Sequence, residues 1–127
     1  MDKVSWTIRF YKSRDGADPV TDFILGLPPK DRAKVLWSIR LLESEGIRIR
    51  EPHSKALEKN LFELRMIHGN NIQRVFYYLF DGTTFVLLHG FTKKTQKTPA
   101  REIETARKRR ADDITQQEER KNGQKIE

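Results

Sequence analysis

Cysteine is absent from this chain of 127 residues. Its absence excludes disulfides, thiol nucleophiles and every zinc site built with cysteine ligands, and it suits a reducing compartment. The sequence also has no run of about 18 uncharged apolar residues, which a membrane-spanning helix needs. The first residues, Met1-Asp2-Lys3, lack the basic and apolar segments of a classical signal peptide. We therefore expect a cytoplasmic protein without a membrane partner.

The sequence shows neither clustered metal ligands nor a glycine-rich phosphate loop. The three histidines, His53, His68 and His89, have no nearby partner at a metal-ligand spacing. We therefore expect no metal ion and no cofactor. The histidines are candidates for a general acid or base, because an ordinary pKa near ~6.5 suits proton transfer at neutral pH. His89, in the middle of an expected strand, is alternatively a core residue.

Positive charge is concentrated in the middle of the chain. The formal net charge is +7, and residues 47–97 hold nine lysines and arginines against four acidic residues, an excess of five. Residues 1–46 and 98–127 contribute only +1 each. A basic segment of this kind favours an anionic partner.

The first half of the chain predicts a strand followed by two helices. Apolar and polar residues alternate over residues 4–10, as in a strand with one buried face. Asp18-Pro19 provides an N-cap and a first-turn proline for a short amphipathic helix. Pro28-Pro29 ends that helix and starts a second one, which Gly46 terminates.

The second half predicts a three-stranded meander and a last helix. Residues 47–60 lack periodicity and are expected to form a long loop. Strand patterns follow at 61–67, 72–80 and 84–91, and Thr98-Pro99 opens the final helix. The order β-α-α-β-β-β-α indicates a single α+β domain over residues 1–114, with a mostly antiparallel sheet and helices packed on one face. The polar residues 115–127 are expected to be a frayed or disordered tail.

Strand alternation predicts one apolar core and one basic surface. The expected core residues are Val4, Trp6, Ile8, Phe10, Phe23, Leu36, Ile39, Leu64, Val75 and Leu88. Arg65, Arg74 and Tyr78 fall on the opposite face of the meander, which we expect to be exposed to solvent. Cations there would neutralise phosphates, and rings would stack on bases. The alternative is that Arg65 pairs with Glu63 or with a helix carboxylate, and that the lysines are ordinary surface residues.

Five segments stand out when they are taken together: Leu61-Phe62-Glu63-Leu64-Arg65, Arg74-Val75-Phe76-Tyr77-Tyr78, the run at 87–95, Thr98-Pro99 and Glu102-Ile103. In this order they resemble the phage-derived HigB branch of the RelE-like toxins. The resemblance covers roughly residues 4–110. It implies a RelE-like fold and the toxin of a type II toxin-antitoxin pair, which cleaves mRNA on the small ribosomal subunit and inhibits translation. A HigA-like helix-turn-helix antitoxin would silence it.

The resemblance assigns catalysis to Arg65, Arg74, Lys93 and Lys94. We expect RNA contacts at Lys55, Lys59, Tyr78, Phe91 and Lys97. The implied reaction is metal-independent attack of the ribose 2′-hydroxyl on the adjacent phosphate. The arginines would stabilise negative charge, and one of the two lysines would transfer a proton.

Two other functions stay open at this point. A non-catalytic basic phage or plasmid protein would keep the fold and bind RNA, DNA or a protein partner. A basic structural protein of the ribosome would bind without cleavage. Loss of toxicity in folded Arg65 and Lys93 alanine variants would favour the enzyme.

Overall fold

The computed structural model describes residues 6–93 and 97–126, with side chains up to Gly123. Within these ranges the strands are β1 (Thr7–Phe10), β2 (Ser54–Glu58), β3 (Leu61–His68), β4 (Asn71–Leu79) and β5 (Thr84–Lys93), and the helices are α1 (Pro19–Leu25), α2 (Pro29–Glu45) and α3 (Ala100–Ile126). The five strands form one sheet in the order β1-β5-β4-β3-β2. β1 is parallel to β5, and the other neighbours are antiparallel. The predicted α+β fold with a mostly antiparallel sheet is confirmed.

β2 is the strand that the sequence interpretation misses. Its residues fall in segment 47–60, which we expected to be a loop, so that expectation is wrong for Ser54–Glu58. β2 lies at the sheet edge, is only five residues long and is irregular between Ala56 and Glu58. Short, charged and bulged edge strands lack a clear apolar alternation, because only one neighbour constrains them. β2 is a strand because it pairs with β3, and its own sequence pattern does not predict one.

The helix boundaries follow local sequence signals. The Asp18 side chain accepts a hydrogen bond from the backbone N–H of Thr21, which caps α1 as predicted. α2 ends at Gly46, whose φ of 57° lies in the left-handed region that favours glycine. A Cβ atom at Gly46 would also lie 1.9 Å from Cε2 of Trp6. Both the backbone conformation and the packing of Trp6 therefore require glycine here.

The sheet is buried on both faces, by different helices. The core on the first face, under α1 and α2, contains Val20, Ile24, Leu27, Val35, Ile39, Leu42, Leu64, Met66, Val75, Tyr77, Phe85 and Leu87. The core on the second face, under α3, contains Tyr11, Leu61, Phe76, Tyr78, Val86, Leu88 and Ala106. We call the second face the α3 face. The expectation of a single core with all helices on one face is therefore wrong, because α3 covers the side opposite α1 and α2.

Most predicted core positions are buried or pack against buried residues. Ile39, Leu64 and Val75 belong to the first core, and Trp6, Ile8, Phe10 and Phe23 pack against it. Leu88 belongs to the second core. Leu36 is 41% exposed, so its assignment to the core is wrong. It lies about 100° around α2 from buried Val35, beyond the narrow stripe that this helix buries. Val4 lies outside the described residues.

α3 continues beyond residue 114. The expected frayed or disordered tail is helical as far as Ile126. Polar contacts join this part of the helix to the segment after β1: Arg14 Nη1 lies 2.8 Å from Glu119, and Gln116 donates to the carbonyl of Lys12. Such contacts leave no apolar periodicity, so the sequence pattern does not reveal them. None of the helices in the described ranges combines the length and apolar character that crossing a membrane requires.

Candidate functional site

The predicted site residues on β3 and β4 lie on the α3 face. Glu63 and Arg65 alternate with buried Leu64, which faces α1 and α2, so the predicted division of side chains between the two faces is confirmed. The register pairs Arg65 with Arg74 directly across β3 and β4. The two arginine side chains are therefore direct neighbours on this face of the sheet.

Glu63 links the two arginines. Nη1 of Arg74 donates to Oε2 of Glu63 at 2.7 Å, and Nε of Arg65 lies 3.3 Å from Oε1. Thr98, just before α3, donates to the same Oε2 and accepts a hydrogen bond from Arg74. We call these four residues the Glu63 cluster. The pairing of Arg65 with Glu63 is the alternative that the sequence left open.

The expected exposure of this face is wrong for Arg74 and Tyr78 of β4. The side chain of Arg74 is only 1% exposed, whereas that of Arg65 is 19% exposed. Tyr78 is also 1% exposed. The reason is the position of α3 over this face, which one strand's alternation cannot predict because alternation separates two faces without showing what covers each.

Tyr78 is held in place by an acidic residue of α3. Its hydroxyl donates to Oδ2 of Asp113 at 2.5 Å, and Arg9 contacts both oxygens of the same carboxylate. Burial raises the pKa of the Tyr78 hydroxyl far above its ordinary value, and the bond to Asp113 raises it further. Tyr78 therefore presents no ring face to RNA in this structure, contrary to the expected stacking role.

His89 connects β5 to α3. Nη1 of Arg109 lies 2.9 Å from its Nδ1, and Oε2 of Glu102 lies 3.1 Å from its Nε2. Because arginine can only donate, these partners assign a neutral ring that carries its proton on Nε2. Burial lowers the pKa of His89, Arg109 lowers it further, and Glu102 partly opposes both. His89 is therefore a neutral link with both nitrogens engaged.

The register places aromatic and basic side chains in consecutive rows beside the Glu63 cluster. Lys55, Glu63, Phe76 and His89 form one row across four strands, and Arg65, Arg74 and Phe91 form the next. Lys93 occupies a third row on the same face and donates to the carbonyl of Lys97. The half-buried ring of Phe91 stacks on His89 with the centroids 5.5 Å apart. Only the tertiary pairing brings these residues together.

The remaining predicted cations have different positions. Lys55 is the exposed end of the first row, Lys97 is exposed next to Lys93, and Lys59 is exposed after β2. Lys94 lies outside the described residues. In residues 6–93 and 97–126 no group of three or more His, Asp or Glu side chains is arranged to hold a metal ion.

The sequence interpretation gave no chemical role to Glu63, Thr98, Glu102 or Arg109. Glu63, Thr98 and Glu102 lie inside the segments that carry the family resemblance, and that resemblance was the signal by which they could have been found. Arg109 offered no signal, because it lies in a run of four basic residues at 107–110. Its contact with His89 appears only when α3 packs on β5.

Comparison with known proteins identifies the family of this chain. A family model described as phage derived protein Gp49-like (DUF891) matches residues 22–111. The match runs from the middle of α1 to the first part of α3 and includes all of the Glu63 cluster. Comparison with curated proteins finds no match. The chain therefore belongs to the Gp49-like family of phage-derived proteins, which is a family of RelE/HigB-like toxins.

Proposed function

We propose that this protein is a HigB-type toxin of a type II toxin-antitoxin pair and a metal-independent endoribonuclease. It cleaves mRNA on the small ribosomal subunit and thereby inhibits translation. A HigA-like helix-turn-helix antitoxin silences it. Membership of the Gp49-like family supports the proposal at the level of a RelE-like toxin. The observation that carries it further is the partly exposed side chain of Arg65 beside the basic and aromatic rows of the α3 face.

The proposed reaction uses the RNA itself as nucleophile. The ribose 2′-oxygen attacks the adjacent phosphorus, its proton passes to a base, and the bond to the 5′-oxygen breaks as that oxygen takes up a proton. The products are a 2′,3′-cyclic phosphate and a 5′-hydroxyl. Arg65 stabilises the negative charge that develops on the phosphate oxygens. Lys93 or Lys94 transfers the proton.

Arg74 has a different role from the one that the resemblance implies. Its side chain is 1% exposed and is bonded to Glu63 and Thr98. A side chain that is 1% exposed offers no surface to a phosphate, and moving this guanidinium outward would break its buried ion pair, which is costly. We propose that Arg74 supports the site through Glu63, and that Arg65 makes the phosphate contact.

RNA binding in this proposal depends mainly on phosphate contacts. Lys55, Lys59 and Lys97 neutralise the backbone, and Phe91 offers a ring for stacking. Binding to ribosomes or RNA should therefore weaken steeply as salt increases from ~50 to ~200 mM. An affinity that is independent of salt would indicate an apolar interface and would favour a protein adaptor.

Cleavage of a defined mRNA on purified ribosomes tests the proposal. We expect cleavage in the presence of chelator, and no cleavage when the ribose at the cut site is replaced by deoxyribose. Binding of the substituted message should be nearly unchanged, because phosphate contacts dominate affinity. Cutting of the deoxyribose message, or activity that chelator removes and magnesium restores, would contradict the mechanism.

A growth assay with controlled expression compares the wild-type protein with two arginine variants. Wild type should arrest growth, and Arg65→Ala should not. Arg40→Ala removes an exposed arginine of α2, on the other side of the sheet, and should remain toxic. Equal toxicity of all three proteins would show that Arg65 has no catalytic role.

A second candidate is a non-catalytic protein that binds RNA, DNA or a protein partner. The ion pairs of Glu63 with both arginines favour it, because paired arginines also serve purely structural roles. This candidate predicts ribosome or RNA binding that is sensitive to salt, with no cleavage and no growth arrest.

A further inference from the structure

Two arginines of the candidate site face each other across neighbouring strands. Arg65 and Arg74 are register partners, and like charges placed directly opposite each other destabilise a sheet. The arrangement therefore needs a negative charge on the same face. Glu63 supplies it, because it lies two residues before Arg65 on β3 and points to the same side.

The carboxylate of Glu63 divides its two oxygens between the arginines. Oε2 binds Arg74 at 2.7 Å and Thr98 at 3.2 Å, and Oε1 lies 3.3 Å from Nε of Arg65. Glu63 itself is 1% exposed. A carboxylate buried this deeply cannot touch a substrate, so any influence on RNA must pass through an arginine.

The two arginines differ in their access to solvent. Arg74 is 1% exposed and neutralises Glu63 inside the protein, whereas Arg65 is 19% exposed. The Nε atom of Arg65 is buried and forms an ion pair with Glu63, so the position of the guanidinium is restrained. A planar guanidinium that is already oriented binds a phosphate with a smaller loss of side-chain freedom.

We infer that Glu63 is a positioning residue, which orients the guanidinium of Arg65 towards the scissile phosphate without contacting RNA. The inference rests on the proposed function, because it assigns a role within the same site. A purely structural Glu63 makes a different prediction: its replacement lowers stability and leaves the orientation of Arg65 unchanged.

The orientation of Arg65 is observable without any activity. In the full-length protein labelled with nitrogen-15, we expect an Nε–H resonance of Arg65 that exchanges slowly with solvent. Glu63→Gln keeps the shape of the side chain and removes its charge, so the resonance should shift and exchange faster. Glu58→Gln is the control, because it weakens an ion pair with Arg107 at a more exposed site. If Glu63→Gln leaves the Arg65 resonance unchanged, the inference is wrong.

Cleavage of ribosome-bound mRNA, with the protein in excess, is the second measurement. Glu63→Gln should lower the cleavage rate by about 10- to 100-fold through misplacement of Arg65, with little change in ribosome affinity. In the Arg65→Ala background, the residual rate followed over hours should show no further loss. Such non-additivity is expected when two residues act through one contact. Glu58→Gln should cleave as wild type does.

The outcomes separate this inference from the proposed function. If wild type cleaves and the two losses are additive, Glu63 does not act through Arg65 and the inference is wrong. If wild type cleaves no RNA, the proposed function fails, and the inference fails with it. If Glu63→Gln does not fold, Glu63→Asp takes its place: the charge stays on a shorter side chain, which should still shift the Arg65 resonance and lower the rate. Unchanged values in Glu63→Asp would then overturn the inference.

Discussion

The hydroxyl of Tyr78 donates a hydrogen bond of 2.5 Å to Asp113, and both side chains are buried between the sheet and α3. Arg9 binds the same carboxylate with contacts of 2.7 and 3.0 Å. Asp113 lies in a part of α3 that has few apolar residues. Hydrogen bonds and ion pairs therefore fix this part of the helix to the sheet, where apolar burial contributes little.

Replacement of Tyr78 by phenylalanine should lower the free energy of unfolding by about 1.5–3 kcal/mol, because the lost hydrogen bond has a charged acceptor. Tyr77→Phe is the control. It removes the 2.6 Å bond between the hydroxyls of Tyr77 and Ser54, which is neutral and should contribute about 1 kcal/mol. Chemical denaturation of both variants measures the difference. Equal losses would show that the charge of Asp113 adds nothing to this bond.

Arg74→Ala should destabilise the fold far more than Arg65→Ala. The loss of Arg74 leaves Glu63 buried without its principal partner and should cost about 3–5 kcal/mol. Arg65 is partly exposed, and Glu63 keeps Arg74 in its absence, so its loss should cost about 1 kcal/mol. Urea denaturation measures both variants. Combined replacement of Arg74 by methionine and Glu63 by leucine should be more stable than Arg74→Ala, because no buried charge remains. A fully stable Arg74→Ala protein would contradict the ion pair.

His89 should make stability depend on pH below neutrality. Burial and Arg109 lower its folded-state pKa below the ordinary value of 6.5. As the pH falls through that value, the unfolded chain takes up the proton first, so protonation favours unfolding. The stabilisation is therefore present above pH ~6.5 and decreases as the pH falls towards the folded-state pKa. His89→Gln should lack this component. Denaturation from pH ~8 to ~5 should show the two proteins converging as the pH falls, and parallel curves would contradict the lowered pKa.

Gly90→Ala should disrupt the packing of α1 on the sheet. A Cβ atom at this position would lie 2.3 Å from Cδ2 of Phe23, which is too close for two carbon atoms. We expect a loss of about 1–3 kcal/mol in the free energy of unfolding, as for other overpacked positions. Gly82→Ala is the matched control, since nothing lies within 4 Å of the added atom. A smaller loss in Gly90→Ala than in Gly82→Ala would show that Phe23 moves aside freely.

Local patterns were sufficient for the elements with strong signals of their own. The cap at Asp18, the end of α2 at Gly46 and the alternation around Leu64 all depend on neighbours within a few residues, and the structure has them as predicted. Edge strand β2 depends on its pairing with β3, and its own pattern was too weak to indicate a strand.

For the candidate site too, local patterns predict some properties and packing alone decides the others. Alternation placed Arg65 and Arg74 on one face, because side-chain direction in a strand is a local property. The exposure of that face depends on which element covers it, and α3 is far from β3 and β4 in the sequence. The burial of Arg74 and Tyr78, and the contact of His89 with Arg109, therefore followed only from packing.

The sequence by itself determined the order of most elements, the direction of side chains along each strand and the basic character of residues 47–97. These properties follow from residue type and spacing, which act over one turn or one strand. The tertiary structure alone decided that α3 covers the second face, that Glu63 lies between two arginines and that Arg65 is more exposed than Arg74. The physical reason is that burial and ion pairing depend on contacts between segments distant in the chain, and no local pattern specifies those contacts.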